Sequence, residues 1–405
     1  MAREYTGAGL TGGRLRPTIT TLMAESWLPF DAAEYERRQA LLRARMEERD
    51  LDAVLLSGPE NQYYLTGYET TGFHSFPQTL IVPRSSPPLL VTRRIEQGNA
   101  GAAYMLASRG YRDDEDPAEV LALALREIGL ADRTLGVEKS VPWLTVRLFE
   151  GLTRALPRAR VIDVSGLVEL MRAVKSPAEI AYMRQAAVAV AAGMRAGLAA
   201  IREGVNEREI AAAVFPARIL AGSHFVRNPT YITAGPRSAL AHATWLGKTL
   251  VRGDVVFLEM GANVRHYDAA LIRTGVVGPP PDELRRAADA SLAGLAAALA
   301  TVRAGIPAAE VYRATREAIA KEGCEQFFLH RAGYGIGIEF LTWIERGGVS
   351  LDAGSQTILQ ANMTLHLVPY LLLPGVGSVG FSETVCVTDT GCEVLTKCPR
   401  ALMEG

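Results

Sequence analysis

The sequence predicts an α/β domain followed by an α+β domain that is built from two similar halves. The chain has 405 residues, of which 48% are hydrophobic, and this length is more than one hydrophobic core usually organises. Up to about residue 165, helical and strand-like patterns alternate, as they do in α/β domains. Beyond that point, a pair of helical patterns followed by strand-like runs occurs twice.

The first domain begins with an α/β unit. Apolar residues recur at helical spacing from Ala32 to Arg49, and a short apolar run from Leu51 to Ser57 ends at Gly58-Pro59, as a buried strand does. We assign residues 1–170 to this domain and expect residues 1–30, rich in Gly, Thr and Arg, to form a loose arm without a signal or anchor segment. The alternation continues through Thr79–Val82, Pro88–Thr92, Pro117–Ile128 and Thr134–Glu138.

The second domain, residues 171–405, opens with a strong helix start. Ser176-Pro177-Ala178-Glu179 forms a capping box with proline at the first helical position, and Asn206 and Glu209 predict a second helix start. The segment 204–210 is echoed by 305–311, which indicates an internal duplication. Strand-like runs follow each helical pair, at Val255–Gly261, Met363–Leu373 and Val379–Thr388, so the two halves are expected to meet at a cleft suited to ligands.

The amino-acid composition limits the kinds of molecule that the protein is expected to bind. Lys and Arg total 43 against 44 Asp and Glu, a formal charge of −1, so no overall field favours nucleic acid or an acidic membrane. A small molecule is the expected partner. No stretch approaches the roughly 20 apolar residues of a spanning helix, and the four cysteines are expected to be free thiols in a reducing cytoplasm.

Five segments in order identify a family resemblance. With the segment Asn61–Gly67, they resemble the creatinase/prolidase "pita-bread" superfamily, and the resemblance covers the chain from about Glu34 to its end. It implies a pita-bread second domain with pseudo-twofold halves, and a homodimer. The five segments are Lys175–Ile180, Gly253–Ala262, Leu271–Thr274, Gly333–Gly337 and Ser382–Val385.

The resemblance also implies a lost metal site. Metallopeptidases of this group hold two divalent ions with two aspartates, a histidine and two glutamates, an oxygen-rich set that activates water. The matching positions here hold Glu259, Ala270, Tyr334, Val368 and Ser382. Alanine and valine cannot bind a metal, and tyrosine and serine are poor substitutes. The chain therefore resembles the metal-free branch, closest to ectoine hydrolases, and no metal or cofactor is expected.

In that branch the glutamate matching Glu259 is a proposed nucleophile. A glutamate with a pKa of about 4.3 is ionised at neutral pH and attacks an electron-poor amidine carbon without a second base. His242 matches a catalytic histidine of creatinases, and imidazole as a side chain suits proton transfer in the physiological pH range. The alternatives are a structural carboxylate left from the lost metal site for Glu259, and a loop cap for His242.

Further site residues follow from the resemblance. Glu383 is expected to assist catalysis, with His366 and Tyr334 contacting substrate; packing within strands is the alternative. Arg346 is favoured among five arginines for binding a substrate carboxylate. Trp343 is a further substrate-binding candidate. Phe73, His74 and Phe76 are expected to contact ligand in the cleft of the partner subunit, and the alternative for them is packing within their loop.

Three functions compete. The favoured one is a metal-independent hydrolase of a C–N bond, other than a peptide bond, in a small cyclic amidine or guanidino compound. The alternatives are a non-catalytic binding module on the same fold and a Xaa-Pro-type metallopeptidase. A cytoplasmic homodimer that binds neither nucleic acid nor membrane is expected in the first case.

Overall fold

The computed structural model describes residues 27–224 and 230–405. Contacts divide the chain into two compact units: residues 1–58, 65–137 and 141–162 in the first, and 59–64, 138–140 and 163–405 in the second. The short segments 59–64 and 138–140 are thus grouped with the second unit. Most of the predicted arm, residues 1–26, lies outside the described residues.

The N-terminal unit contains a six-stranded mixed sheet in the order β4-β3-β2-β1-β5-β6. Helix α1 begins where Asp31 accepts a hydrogen bond from the Glu34 backbone N–H, and the core lies between the sheet and two later helices. The strands are β1 (Ala53–Leu56), β2 (Thr79–Pro83), β3 (Leu89–Arg93), β4 (Ala107–Tyr111), β5 (Thr134–Val137) and β6 (Arg160–Asp163). The helices of this region are α1 (Ala32–Glu47), α2 (Pro59–Thr66), α3 (Gln97–Gly101), α4 (Pro117–Glu127) and α5 (Val146–Ala155).

The first half of the C-terminal unit packs two helices on an antiparallel sheet. Both predicted capping boxes are present, at Ser176 with Glu179 and at Asn206 with Glu209. Strands β8 and β9 pair over their whole length beside β7. The elements are α6 (Leu167–Ala173), α7 (Pro177–Ala199), α8 (Glu207–Leu220), β7 (Tyr231–Ala234), β8 (Val255–Val264) and β9 (Tyr267–Val276).

The second half repeats this plan with two helices and a five-stranded sheet of order β11-β10-β12-β15-β16. Its core gathers the apolar faces of both helices and the sheet, and together the halves form the pita-bread fold that the resemblance implied. The elements are α9 (Asp282–Thr301), α10 (Ala308–Lys321), β10 (Gly333–Gly335), β11 (Ser350–Leu351), β12 (Thr364–Leu367), β13 (Tyr370–Leu373), β14 (Gly377–Gly380), β15 (Glu383–Val387) and β16 (Cys392–Val394). The last strand, β17 (Met403–Glu404), pairs in parallel with β9 and so extends the sheet of the first half.

Two segments that the sequence predicts as single strands are each divided into two strands in the structure. Met363–Leu373 breaks at Pro369, which has no N–H to continue a ladder, so β12 joins the five-stranded sheet and β13 pairs with β14. Val379–Thr388 breaks at residues 381 and 382, where the Phe381 and Ser382 backbone N–H groups donate to Ser291 Oγ and the Ile272 carbonyl. The first break moves the chain from the five-stranded sheet into the β13–β14 hairpin, and the second returns it to the five-stranded sheet.

Within the two described ranges, 27–224 and 230–405, no helix combines the length and the apolar character needed to cross a bilayer.

Candidate active site

A cleft in the C-terminal unit brings residues from both halves together. It holds about 640 Å³ of empty space, part of which opens to solvent. The first half contributes Glu259 on β8 and Tyr231 opposite it on β7, while the second half contributes Tyr334 on β10. The other lining residues are Thr233, Ser238, Leu240, Ala241, His242, Ala243, Phe257, His330, Thr342, Trp343, Ile344, Val368, Tyr370 and Ser378.

Glu259 is the carboxylate of the cleft. Its neighbours on β8 are buried, whereas its own side chain is partly exposed to the cleft. Burial raises the pKa of Glu259 to about 8, and among the described residues no hydrogen bond or positive charge offsets this effect. The expectation of an ordinary glutamate pKa at this position was therefore wrong, because the surrounding aromatic rings replace the water that an ionised carboxylate needs.

His242 enters the cleft from an exposed loop, with its backbone in the left-handed region at φ 61°. The loop is held by buried Glu207, at the start of α8. Its carboxylate accepts hydrogen bonds from three consecutive backbone N–H groups, at residues 246–248, and from that of Ala234. Arg237 donates to the Thr244 carbonyl from the other side. The His242 ring lies 5.6 Å from that of Tyr231, between ring centroids.

Tyr334 faces the cleft and is backed by a buried row of polar groups. Trp343 Nε1 donates to the Tyr334 hydroxyl at 2.9 Å, and His366 Nδ1 lies 3.0 Å from the same oxygen. His366 Nε2 lies 2.7 Å from Ser382 Oγ, which accepts a hydrogen bond from the Ile272 backbone N–H at 2.6 Å. Strand register explains the row, since Tyr334 and His366 are directly paired on β10 and β12.

The positions matched to metal ligands do not suit a pair of divalent ions. Ala270 and Val368 are buried and offer no donor atom. Tyr334 and Ser382 are both engaged with His366, which leaves Glu259 as the single carboxylate of the five. Across residues 27–224 and 230–405, no group of three or more His, Cys, Asp or Glu side chains has a metal-binding arrangement. These five positions therefore do not supply the ligand set that the two-ion peptidases use.

Three of the predicted site residues in the C-terminal unit do not line this cleft. His366 lies behind Tyr334 and supports it instead of contacting substrate. Glu383 is buried and paired with Arg273 at 2.7 Å and Arg400 at 2.8 Å, which is the setting of a structural carboxylate and not of the expected catalytic one. Arg346 is exposed, lies 3.8 Å from Glu339 and does not line this cleft, so its contact with a substrate carboxylate stays a prediction.

Two of the three predicted residues of the N-terminal unit, Phe73 and His74, belong to a small aromatic cluster with Trp143. Phe73 is buried and stacks on His74 at 4.2 Å, and its ring meets Trp143 edge-on at 5.5 Å. The guanidinium of Arg93 lies 3.9 Å above the Phe76 ring. Their proposed contact with ligand in a partner subunit stays a prediction.

Several lining residues were missed in the sequence. His330 lies between the rings of Tyr334 and Tyr370 and bonds the Arg331 carbonyl through Nδ1 at 2.8 Å, and burial lowers its pKa. Tyr231, Tyr370 and Ser378 complete the wall. Of these residues, only His330 could have been recognised in the sequence, because it lies four residues before Tyr334. The tyrosines stand in short strands whose cleft-facing side the sequence does not mark.

Comparison with known proteins agrees with this architecture. Residues 38–174 match the model of the creatinase/prolidase N-terminal domain, and residues 181–389, more than half of the chain, match that of metallopeptidase family M24. An uncharacterized hydrolase/peptidase, y4tL, of Sinorhizobium fredii is 33% identical over 92% of this chain and 97% of its own. The ectoine hydrolase of Halomonas elongata is 29% identical over 94% of this chain and 99% of its own.

A solved structure gives the same result for the fold. Recombinant prolidase from Thermococcus sibiricus superposes with a TM-score of 0.83 at 25% identity, covering 92% of this chain and 99% of the prolidase. The relatives thus include both a hydrolase named for ectoine and a prolidase, so the likeness alone does not separate their chemistries. The chain belongs to metallopeptidase family M24, as a hydrolase-family protein with a creatinase/prolidase N-terminal domain and a pita-bread C-terminal domain.

Proposed function

We propose that this protein is a metal-independent hydrolase of a C–N bond in a small amidine or guanidino compound, with Glu259 as the nucleophile. One observation carries the proposal. Glu259 is a cleft carboxylate that has no cationic partner among the described residues, in a fold whose other metal-ligand positions have lost their donors. A carboxylate in such a setting is available either to a cationic ligand or to an electrophilic carbon.

The walls of the cleft support a cationic substrate. Tyr231, Tyr334, Trp343 and Tyr370 present aromatic rings, and the described lining contains no lysine or arginine. An amidinium is attracted both to aromatic faces and to a carboxylate. Its charge also favours the ionised form of Glu259, so that binding lowers a pKa of about 8 toward the working pH. The substrate thereby activates its own nucleophile.

The proposed reaction has two stages. A Glu259 oxygen bonds to the amidine carbon, and the C–N bond breaks as His242 delivers a proton to the departing nitrogen. Water then attacks the acyl-type intermediate and releases Glu259, with its proton passing to His242. The exposed position of His242 at the mouth of the cleft suits this exchange with solvent. We place the reaction in a cytoplasmic homodimer whose four cysteines are free.

Direct assay separates this function from peptidase activity. Purified protein would be incubated with ectoine, creatine and a Xaa-Pro dipeptide, each with a chelator and with added Mn²⁺. We expect turnover of an amidine or guanidino compound that the chelator does not change, together with a mass adduct on Glu259 when the reaction is quenched early. Cleavage of the dipeptide only when Mn²⁺ is added would overturn the proposal.

A binding module is the second candidate. It is favoured by the raised pKa of Glu259, since a neutral carboxyl in the empty cleft is a poor nucleophile until a cation binds. Calorimetric binding of an amidine without any turnover over a day would support this alternative.

A further inference from the structure

The hydrogen bonds from Ser382 through His366 to Tyr334 all run in one direction. This direction follows from which atom carries the proton in each bond. Ser382 is buried, and its oxygen accepts the Ile272 N–H. Its own hydroxyl proton then needs an acceptor, and among the described residues the only one in reach is His366 Nε2, at 2.7 Å. The opposite arrangement, with Nε2–H donating to Ser382, would leave the buried hydroxyl proton without an acceptor, which native structures avoid.

The same direction continues in the next hydrogen bond, which the His366 imidazole donates to the Tyr334 phenol. A neutral His366 that accepts at Nε2 has its proton on Nδ1, and this N–H faces the Tyr334 oxygen at 3.0 Å. Burial lowers the pKa of His366 to about 3, so the ring is neutral at ordinary pH. The Tyr334 oxygen therefore accepts two hydrogen bonds, from His366 and from Trp343.

We propose that Ser382, His366 and Trp343 orient the phenolic O–H of Tyr334 into the cleft, and that this O–H is a catalytic hydrogen-bond donor to the tetrahedral intermediate formed on Glu259. With both acceptor positions of the oxygen occupied by N–H donors, the hydroxyl proton has to point away from Trp343 and His366, and Tyr334 lines the cleft. Ser382 and His366 are positioning residues in this scheme.

The chemistry of amidines makes such a donor selective for the intermediate, and this step rests on the proposed function. In a planar amidinium both nitrogens share their lone pairs with the central carbon and only donate hydrogen bonds. When the Glu259 oxygen bonds to that carbon, the carbon becomes tetrahedral and each nitrogen regains a lone pair. Tyr334 then gains an acceptor that the substrate did not offer, so its hydrogen bond lowers the barrier without tightening substrate binding.

Tyr334 acts as a donor and keeps its proton. Burial and the nearby Glu259 carboxylate raise the pKa of Tyr334 well above its usual value, so the phenol stays neutral throughout the working range. The proton for the departing nitrogen comes from His242.

The tautomer of His366 tests the orientation without any substrate. Full-length protein labelled with ¹⁵N-histidine has six imidazoles, and the His366 signals are assigned by their loss in His366→Asn. We expect the proton on Nδ1 in the parent, and a gain of the Nε2–H form in Ser382→Ala. Ser291→Ala is the matched control, because Ser291 is equally buried and also joins a carbonyl to a backbone N–H, at Pro369 and Phe381. An Nε2–H tautomer in the parent would overturn the orientation.

Kinetics test the role of the donor. We expect Tyr334→Phe to lower kcat about 10²-fold on the amidine substrate while KM changes less than about twofold. Ser382→Ala should lower kcat in the same direction, Ser382→Thr should restore it, and the Tyr334→Phe/Ser382→Ala pair should lose no more than Tyr334→Phe alone. A rise in KM at constant kcat would refute the selectivity for the intermediate. An Nδ1–H tautomer in a protein that turns over no amidine would refute the proposed function and leave the orientation standing.

Discussion

Glu259 and Glu383 lie on strands of the two different halves, and both were expected to take part in catalysis, yet their surroundings are opposite. Glu383 accepts hydrogen bonds from Arg273, Arg400 and Thr396 and is completely buried. Glu259 faces a cleft and has no cationic partner among the described residues. The arginine partners of Glu383 neutralise its charge, which makes it a structural carboxylate. Glu259 has no such partner among the described residues, which leaves it available for chemistry. Side chains of the same type are thus separated by environment alone.

Removing the nucleophile should give the largest effect. Glu259→Gln keeps the shape of the side chain but has no oxygen able to attack, so we expect kcat on an amidine substrate to fall by about 10⁴-fold or more. Initial rates over a range of enzyme concentrations measure the loss. Because the parent carboxylate has no partner to lose, the Gln variant should unfold at the same denaturant concentration or higher. Retention of more than a tenth of the parent kcat would contradict the role of Glu259.

Glu383→Gln should show the reverse pattern, with a loss of stability. Its removal leaves the buried guanidinium of Arg273 with backbone carbonyls but no counter-charge, and we expect the free energy of unfolding to fall by about 3 kcal/mol. Urea denaturation measures the change. Glu393→Gln is the control, because its pair with Arg184 is about half exposed and should contribute less than about 1 kcal/mol. Equal losses in both variants would remove the contrast between buried and exposed pairs.

The contrast also shows what the sequence could and could not supply. Cap signals predicted the starts of α7 and α8, and the ordered motifs predicted the fold and placed Glu259 and His242 at one cleft. The sequence could not reveal that Glu383 meets Arg273 and Arg400, since that pairing joins β15, β9 and the segment between β16 and β17. It also could not reveal that His366 stands behind Tyr334, because one residue of strand register decides which face a side chain occupies. Motifs identify candidate positions, and packing decides their roles.

A third variant tests whether the placement of His242 at the mouth of the cleft limits the reaction. Glu207 holds the His242 loop through four backbone N–H groups, and a glutamine there presents an amide NH₂ to at least one of these donors. We expect Glu207→Gln to lower kcat about 10-fold through misplacement of His242. Glu209→Gln is the matched control on the same helical turn, because glutamine also serves in a capping box. An unchanged kcat in Glu207→Gln would mean that the placement of His242 does not limit the reaction.

The smallest effect is a pH dependence of stability, and it follows from the raised pKa. An unfolded glutamate releases its proton near pH 4.3, whereas Glu259 in the folded protein holds it until about pH 8. The stabilising contribution is therefore complete below about pH 4.3 and is lost as the pH rises through about 8. Glu60, whose pKa burial and Glu339 also raise, contributes in the same direction, so the informative quantity is the difference between parent and Glu259→Gln.

That difference should grow steadily in favour of the Gln variant as the pH rises. Denaturation midpoints of both proteins, measured at about pH 5 and about pH 9, give its value at the two ends. Activity depends on the same deprotonation in the opposite sense, since it supplies the proposed nucleophile. On the acid side kcat/KM should therefore rise as the pH approaches about 8, while loss of the proton that His242 has to donate opposes this rise at higher pH. If the parent and the variant lost stability in parallel, the carboxyl at position 259 would have an ordinary pKa, and the physical distinction between it and Glu383 would rest on pairing alone.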